Sequence, residues 1–220
     1  MTIQALLSSR HSVRDFLPDP VSPKLMKDIF EQAQQSASNC NVQPWQTFVV
    51  SGKTRKDLEH ALMTKLMTDP TPAPEFDWTP RYQDKHRDRQ FGSANALYSA
   101  MGITRDDKKA RQMAMGRNWQ FFGAPHAVFF CMEKYLGIMG AVDVGIYAQN
   151  LSLLLAEAGI SSCMQGALGQ FPAEVKKALN IPQSMGILFG MSFGYVKPDA
   201  AANNARTERV ELKDSVLFFN

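Results

Sequence analysis

The feature that most constrains the fold is a long apolar helical pattern between residues 139 and 158. Apolar residues recur there at intervals of three and four, which is the spacing of one helix face. This face comprises Val142, Ile146, Gln149, Leu153 and Ala156, and it is widened by Val144, Leu151, Leu154 and Leu155. A helix that is apolar over so much of its circumference should be buried, either centrally in its own chain or in a subunit interface. Gly159 suits the position just after the end of such a helix.

Composition narrows the class of protein that surrounds this helix. A chain of 220 residues can enclose one substantial core or two small ones. Its net charge of +3 is too slight for the basic stripe that is typical of nucleic-acid binding. No N-terminal stretch resembles a secretion signal, and the apolar run at 185–196 is too short to span a bilayer. Cys40, Cys131 and Cys163 have no CxxC spacing and indicate free thiols, so we expect a cytoplasmic protein without membrane segments.

Helices and strands are predicted to mix without strict alternation. Besides the long helix, helices are predicted from Ser22 with Pro23 at its first position, over 53–67, over about 105–122 and over Pro172–Leu179. Strands are predicted at TFVVS, HAVFFCM, ISSCM, ILFGMSF and the terminal SVLFF. The Pro-rich segment from Asp69 to Arg81 indicates an irregular excursion, and SVLFF suggests an arm that reaches away from its own core. The fold class that follows is α+β.

The common catalytic motifs either do not occur in the sequence or occur without the residues that they require. The segment Gly190–Gly194 fits GxSxG, but no histidine follows the serine, so small residues that allow close strand packing explain it better. The sequence contains no HExxH, CxxC, GxGxxG or Walker pattern and no histidine pair at metal-ligand spacing. We therefore expect no metal site and no dinucleotide-binding fold.

Four groups of polar residues remain at predicted loop positions. They are Arg10, His11, Ser12 and Arg14; Ser38, Asn39, Asn41 and Gln43; Gln165, Gly166 and Ala167 after Met164; and Arg206 and Arg209. Guanidinium groups match the geometry of phosphate, so the first and last groups suggest an anion site. The pattern alone leaves a solvated turn open as the alternative.

The order of these groups carries a family resemblance. The segments RHSVRDF, ASNCNVQPWQTFVV, RNWQFFGAP, DVGIYAQNLSLLLAEAGISSCMQGAL and FGYVKPDAAANNARTERVELKDSV cover nearly the whole chain. Together they resemble the FMN-dependent nitroreductase family. The insert from about Asp69 to Lys109 is similar to that of its nitrobenzoate and nitroaryl reductase branch.

The resemblance implies a fold and an assembly. It implies a nitroreductase-like fold whose central, mainly antiparallel sheet is flanked by helices, in an intertwined homodimer. Residues 1–220 would form one FMN-binding domain, and the excursion at about 69–109 would cover the active site.

The resemblance also implies which residues hold FMN. Arg10, His11 and Ser12 would lie at the phosphate and ribityl side, with Arg206 and Arg209 as further phosphate contacts. Arg14 would lie at the pyrimidine edge, near Asn118. The backbone at Gln165, Gly166 and Ala167 would face the reactive nitrogen of the flavin. Ser38, Asn39 and Asn41 would reach the flavin of the partner subunit.

One position departs from the family pattern. Some members carry a lysine where this chain has Gln120. The positive charge at the pyrimidine end would then come from Arg14 or from Arg117, unless Arg117 is a solvent-facing helix residue.

The implied chemistry is a ping-pong oxidoreduction. NADH or NADPH would reduce the flavin, which would then reduce a nitroaromatic compound to the hydroxylamine, with no catalytic side chain assigned. The alternatives are a reductase of quinones or enones and a non-enzymatic flavin-binding protein. The aromatic residues of the insert either wall the acceptor pocket or merely pack it; they are Phe76, Trp78, Tyr82, Phe91 and Tyr98.

Overall fold

A four-stranded antiparallel sheet forms the centre of the fold. The computed structural model describes residues 2–77 and 81–219. Within these residues the strands are β1 (Gln46–Ser51), β2 (His126–Glu133), β3 (Ser161–Gln165) and β4 (Met185–Gly194). They pair in the order β1-β2-β4-β3, so that β2 and β4 lie in the middle of the sheet.

Helices cover both faces of this sheet. They are α1 (Ile3–Ser9), α2 (Pro23–Ala33), α3 (Gly52–Thr68), α4 (Asp84–Ala100), α5 (Lys108–Gly116), α6 (Gly137–Glu157) and α7 (Pro172–Leu179). Side chains alternate along a strand, and in β2 both faces are apolar. Val128 and Phe130 pack toward α2 and α6, whereas Phe129 packs toward α3 and α7. The predicted α+β class is confirmed.

Most predicted elements are confirmed, and the local signals explain why. Helix α2 begins where Ser22 Oγ accepts the Leu25 N–H at 3.2 Å, with Pro23 at the first helical position. The serine of the GxSxG match, Ser192, is fully buried in β4. A side chain at Gly190 would collide with Leu168, so the glycine there serves close packing, as expected.

The helix predicted over about 105–122 is shorter than expected. Helix α5 covers only Lys108–Gly116, with Asp107 capping it through a 2.8 Å bond from the Ala110 N–H. Phe121 and Phe122 adopt φ values of 54° and 55°, which a right-handed helix cannot contain. The spacing of apolar residues made the predicted helix too long, because Phe121 and Phe122 are buried from a turn and not from a helix.

The long helix α6 is confirmed, and one of its faces is buried centrally in its own chain. Val144, Tyr147, Leu151 and Leu155 are fully buried against the sheet. Val142, also in the predicted apolar pattern, is 50% exposed. Because the helix is apolar nearly all round, the pattern could not choose the stripe that meets the sheet.

The helical stretch Lys134–Glu157 is also long and apolar enough to cross a membrane, judged by length and composition only. The expectation that no segment qualifies rested on the run at 185–196 and overlooked this one. The helix lies along the sheet with one face in the core, and a core helix of this kind passes the same test.

The insert contains a helix that was not predicted, whereas the chain end lacks the strand that was predicted. The excursion at 69–77 is irregular as predicted, but it leads into helix α4, which was not predicted. The terminal SVLFF forms no strand, because it has no neighbouring strand to bond with and Phe219 is 90% exposed. It does reach away from the core, as expected of an arm. We call residues 210–219 the C-terminal arm.

Candidate functional site

Both ends of the chain meet in one cationic pocket. The pocket has a volume of about 420 Å³ and lies between the segment after α1 and the segment after the turn Ala201–Asn204. Its lining includes every predicted residue of the first and last polar groups: Arg10, His11, Ser12, Arg14, Arg206 and Arg209. The pairing of these two distant groups, expected from the resemblance, is therefore present in the structure.

The donors of this pocket suit a phosphate group. None of its four arginines forms an ion pair within residues 2–77 and 81–219, and no carboxylate lines the pocket. Arg206 and Arg209 each use one nitrogen on nearby carbonyl oxygens, at distances of 2.7–3.1 Å, which orients the guanidinium groups and leaves other N–H groups free. Four cations and several hydroxyls without a counter-charge match a dianion that accepts many hydrogen bonds. We name this the anion pocket.

Local contacts position the first group of residues. Ser12 forms a parallel bridge with Ser162 of β3, and the Val13 N–H donates to the Ser162 carbonyl at 3.2 Å. His11 donates from Nδ1 to the Ser9 carbonyl at 3.0 Å, since a carbonyl oxygen can only accept. The segment is thus held on the edge strand of the sheet with its side chains directed into the pocket.

Three hydroxyl residues that line the anion pocket were not predicted: Ser8, Ser93 and Thr207. Ser93 of α4 lines it, so the insert helix reaches the pocket, and Thr207 lines it from the C-terminal side. No local pattern distinguishes Ser93 from other helix serines. The position of Thr207 between Arg206 and Arg209 was the available signal.

A second, apolar pocket lies at the far end of β3. It measures about 440 Å³ and is lined by Met164, Gln165 and Gly166 with residues of α6 and β4. Gln165 is buried, and its Nε2 donates to the Asn118 carbonyl at 2.9 Å and to the Asn118 side-chain oxygen at 3.3 Å. Two further predicted residues, Gln165 and Asn118, are therefore bonded to each other. Gly166 is exposed and presents its backbone to the pocket, whereas Ala167 packs against the core.

Strand β3 connects the two pockets. Ser162 stands beside the anion pocket through its bridge to Ser12, and Gln165 stands at the apolar pocket. Three residues of extended strand separate them by about 10 Å. Between them Cys163 is buried, and burial raises the pKa of its thiol against the smaller opposing effects of Arg14, Ser12 and Arg10. Cys163 is a core residue, as expected.

The polar loop Ser38–Asn41 lies apart from both pockets within one chain. Asn39 and Asn41 belong to a 3₁₀ turn, and the Asn39 N–H donates to both carboxylate oxygens of Asp143 at 3.1 and 3.2 Å. Ser38 Oγ accepts the Gln43 N–H at 2.9 Å. The structure therefore does not bring Ser38, Asn39 and Asn41 to the other groups, although it anchors their loop on α6. Asp143, an acid inside an apolar helix, was a signal that the sequence offered and that we did not use.

Arg117 is already neutralised by a partner. Its Nη2 lies 3.2 Å from a carboxylate oxygen of Asp15. Arg117 is half-buried, and this ion pair makes its charge less available to a ligand than that of Arg14. Gln120 accepts, through its backbone oxygen, a bond of 3.0 Å from Arg55.

The aromatic residues of the insert divide between two environments. Phe76 packs over Gly186 of β4. Phe91 and Tyr98 line an open pocket of about 730 Å³ between α4 and α5, where the guanidinium of Arg111 lies 4.8 Å from the Tyr98 ring centre. Tyr82 is 47% exposed, and Trp78 lies outside the described residues.

The fold thus places a cationic pocket and an apolar pocket along one strand of an antiparallel sheet. Residues 7–195 match the profile of the Nitroreductase family, and the chain belongs to that family. It is 33% identical over 205 residues to the 4-nitrobenzoate reductase of Pseudomonas putida, covering 93% of this chain and 90% of that protein.

Solved structures show the same fold over the whole chain. NfnB from Mycobacterium smegmatis, an FMN-dependent nitroreductase crystallised with NADPH, matches with a TM-score of 0.94 at 33% identity, covering 99% of this chain and 97% of that one. The FMN and NADPH-dependent nitroreductase NfnB from Sphigopyxis sp. strain HMH matches with a TM-score of 0.96 at 32% identity, covering all of both chains. The expected family and its nitroaryl-reducing branch are confirmed.

Proposed function

We propose that this chain is an FMN-dependent NAD(P)H oxidoreductase that reduces nitroaromatic compounds of the nitrobenzoate type to hydroxylamines. The observation that carries the proposal is the anion pocket, where four arginines from both ends of the chain converge without a counter-charge. Family membership and the names of the relatives support the assignment of FMN and NADPH.

We assign the anion pocket to the phosphate of FMN. Arg10, His11 and Ser12 would bind it from one side, and Arg206 and Arg209 from the other. Guanidinium groups remain charged at any physiological pH and can each bind two phosphate oxygens. A ligand that occupies the pocket therefore needs no change in protonation of these side chains.

We assign the apolar pocket to the flavin ring. The separation of about 10 Å along β3 suits a ring joined to a phosphate through a ribityl chain. The exposed backbone at Gly166 and Ala167 would face the ring, while Gln165 holds Asn118 beside it.

When bound, FMN supplies the acceptance and donation of hydride. The chain supplies binding and orientation, and we assign it no catalytic acid, base or nucleophile. A fixed positive charge at Arg14 would favour the anionic, reduced form of the cofactor. Arg14→Ala should therefore lower the flavin reduction potential more than Arg10→Ala does.

We further propose that the active protein is a homodimer in which Ser38, Asn39 and Asn41 complete the partner's flavin site. The loop lines neither pocket of its own chain, and the neighbouring face of α6 leaves Ile138 and Val142 exposed. The C-terminal arm is likewise apolar and exposed, with Phe218 at 78%. Two chains could cover these surfaces mutually.

The insert and the cellular location complete the proposal. Residues 1–220 would act as one domain, and the excursion at about 69–109 would cover the active site, which the contact of Ser93 with the anion pocket supports. Cys40, Cys131 and Cys163 are free, as expected of a reducing cytoplasm.

The test is a spectrum followed by a titration. The purified full-length protein should be yellow, and anaerobic NADH or NADPH should bleach its flavin. Steady-state rates with 4-nitrobenzoate, a quinone and an enone then identify the acceptor, and faster turnover of the quinone or enone would replace the nitroaromatic assignment. A flavin that neither nicotinamide bleaches would indicate a binding protein instead.

A matched pair of variants tests the pocket itself. Arg209→Ala removes a guanidinium that lines the anion pocket, whereas Arg105→Ala removes an exposed arginine elsewhere. We expect at least about a tenfold loss of FMN affinity in the first, the size of a charge-assisted hydrogen bond, and none in the second. Equal affinities in both variants would contradict the phosphate assignment.

A further inference from the structure

The anion pocket has two walls, which we define as residues 10–14 and residues 205–209. They are joined by a single buried amide, that of Asn203. Asn203 lies in the 3₁₀ turn Ala201–Asn204, just before the arginines of the C-terminal wall, and its side chain is 5% exposed. It lies outside the residues that line the pocket. It lies between the two walls and forms hydrogen bonds to residues of both.

All four hydrogen-bonding positions of this amide are used. Its oxygen accepts the N–H groups of Arg14 at 2.7 Å and of Asp15 at 3.1 Å. Its nitrogen donates to the carbonyl oxygens of Asp15 at 2.8 Å and of Lys197 at 3.0 Å. A side-chain amide offers two donors and two acceptor lone pairs, so this residue has none left for a ligand. Such complete pairing makes a buried polar group rigid and specific rather than merely tolerated.

The backbone of the same residue holds the opposite wall. The Asn203 carbonyl oxygen accepts a 2.7 Å bond from Arg206 Nη1. One residue thus fixes the main chain at Arg14 on the first wall and the guanidinium of Arg206 on the second. Among the described residues, every hydrogen bond between 200–209 and 10–16 involves Asn203.

We infer that Asn203 is a positioning residue that sets the distance between the two walls of the anion pocket before the phosphate binds. The inference rests on the proposed function, because the ligand it concerns is the phosphate of FMN. The distance between the walls needs to be fixed because like charges repel one another. Four arginines without a counter-charge would otherwise separate. Pre-organisation of this kind increases affinity by reducing the ordering required on binding.

The inference is tested by comparing two flavins rather than by activity. Riboflavin has the ring and ribityl chain of FMN but no phosphate, so the ratio of the two affinities isolates the phosphate end. Full-length protein is stripped of flavin, and the dissociation constants of FMN and riboflavin are measured by fluorescence quenching for wild type and for Asn203→Ala. We expect FMN affinity to fall at least tenfold while riboflavin affinity changes less than twofold. Asn204→Ala is the matched control, since Asn204 is the adjacent residue and is exposed.

Each outcome decides the question. Equal losses for both flavins would show a general structural role, and unchanged values for both would show no role; either result overturns the inference while leaving the proposed function intact. If wild type binds neither flavin, the proposed function fails and the inference fails with it. Should Asn203→Ala not fold, Asn203→Ser keeps a smaller polar group nearer the backbone, and the same selective loss of FMN affinity is required of it.

Discussion

Two pairs of adjacent phenylalanines have opposite fates in this molecule. Phe129 and Phe130, in β2, are fully buried, whereas Phe218 and Phe219, in the C-terminal arm, are 78% and 90% exposed. Both segments are apolar enough to be predicted as strands. Strand β2 has a partner strand on each side and a helical layer on each face, while the arm has neither. Apolar sequence therefore indicates burial only where the same chain supplies something to bury against.

Residues 69–77 show that a segment without regular secondary structure can still be firmly attached to the sheet and helices. Residues 69–77 have as little regular structure as the arm, but Glu75 fastens them to the body. Its carboxylate accepts Lys176 Nζ at 2.6 Å, Lys134 Nζ at 2.9 Å and the Ile187 N–H at 3.0 Å. Burial opposes ionisation of Glu75, but these bonds outweigh it and lower its pKa from the ordinary 4.5. The insert is thus held by charge and the sheet by apolar contact, whereas the arm forms no hydrogen bond or ion pair with the rest of residues 2–77 and 81–219.

The largest expected effect is a loss of stability when one phenylalanine of the buried pair is shortened. Phe129→Ala should lower the free energy of unfolding by about 4 kcal/mol, through lost burial and the cavity left behind. Urea denaturation measures this. The dissociation constant of the proposed dimer, measured by sedimentation, should not change, because Phe129 is fully buried within its own chain. A weaker dimer in this variant would contradict the contrast between sheet and arm.

The next largest effect comes from releasing the insert. Glu75→Ala leaves the buried ammonium of Lys176 without its carboxylate, which should cost about 3 kcal/mol of unfolding free energy. Glu208→Ala, which removes an exposed acid near the C-terminus, is the control and should cost less than about 0.5 kcal/mol. Similar losses in the two variants would show that the insert is no better anchored than the chain end.

The exposed phenylalanine pair should affect assembly instead of folding. If the arm packs on a second copy, replacing Phe218 and Phe219 by serine weakens the dimer by about 2 kcal/mol, or roughly thirtyfold in its dissociation constant. Sedimentation velocity over a dilution series measures this. Met67→Ser, at an exposed apolar residue of α3, is the control. An unchanged dimer in the double variant would remove the arm from the interface.

The smallest expected effect is a pH dependence inside the body. His126 is buried, its Nε2 accepts the Val21 N–H at 2.9 Å, and burial lowers its pKa below the ordinary 6.5. Since the unfolded chain takes up the proton at a higher pH than the folded protein, stability present above pH 6.5 should decline on acidification.

Urea unfolding of the wild type over a range of pH measures this decline, and His126→Gln should reduce it. The exposed His86, changed to Gln, should leave the slope as in wild type. A slope that His126→Gln does not alter would assign the pH dependence to other groups.

Local chemistry made much of the fold predictable. Ser22 with Pro23 begins α2, and the run HAVFFCM forms β2, because caps and buried apolar runs act through neighbouring residues. The aromatic turn at Phe121 and Phe122 was not predictable, since its positive φ values are stabilised by distant core contacts. Helix α4 was also missed, because the described residues of this polar helix include none that is fully buried.

The sequence by itself determined the inventory: an α+β chain of the nitroreductase family, one long apolar helix, and four polar groups in a fixed order. Only the tertiary structure decided which groups meet. It brought Arg10 and Arg209 into one pocket, bonded the amide of Asn203 to the main chain at Arg14, linked Asn118 to Gln165, and left Ser38–Asn41 on α6, outside both pockets. The reason is that composition and periodicity report contacts between near neighbours, whereas a site depends on pairs far apart in the chain. Their proximity is set by strand order and by which face of α6 meets the sheet.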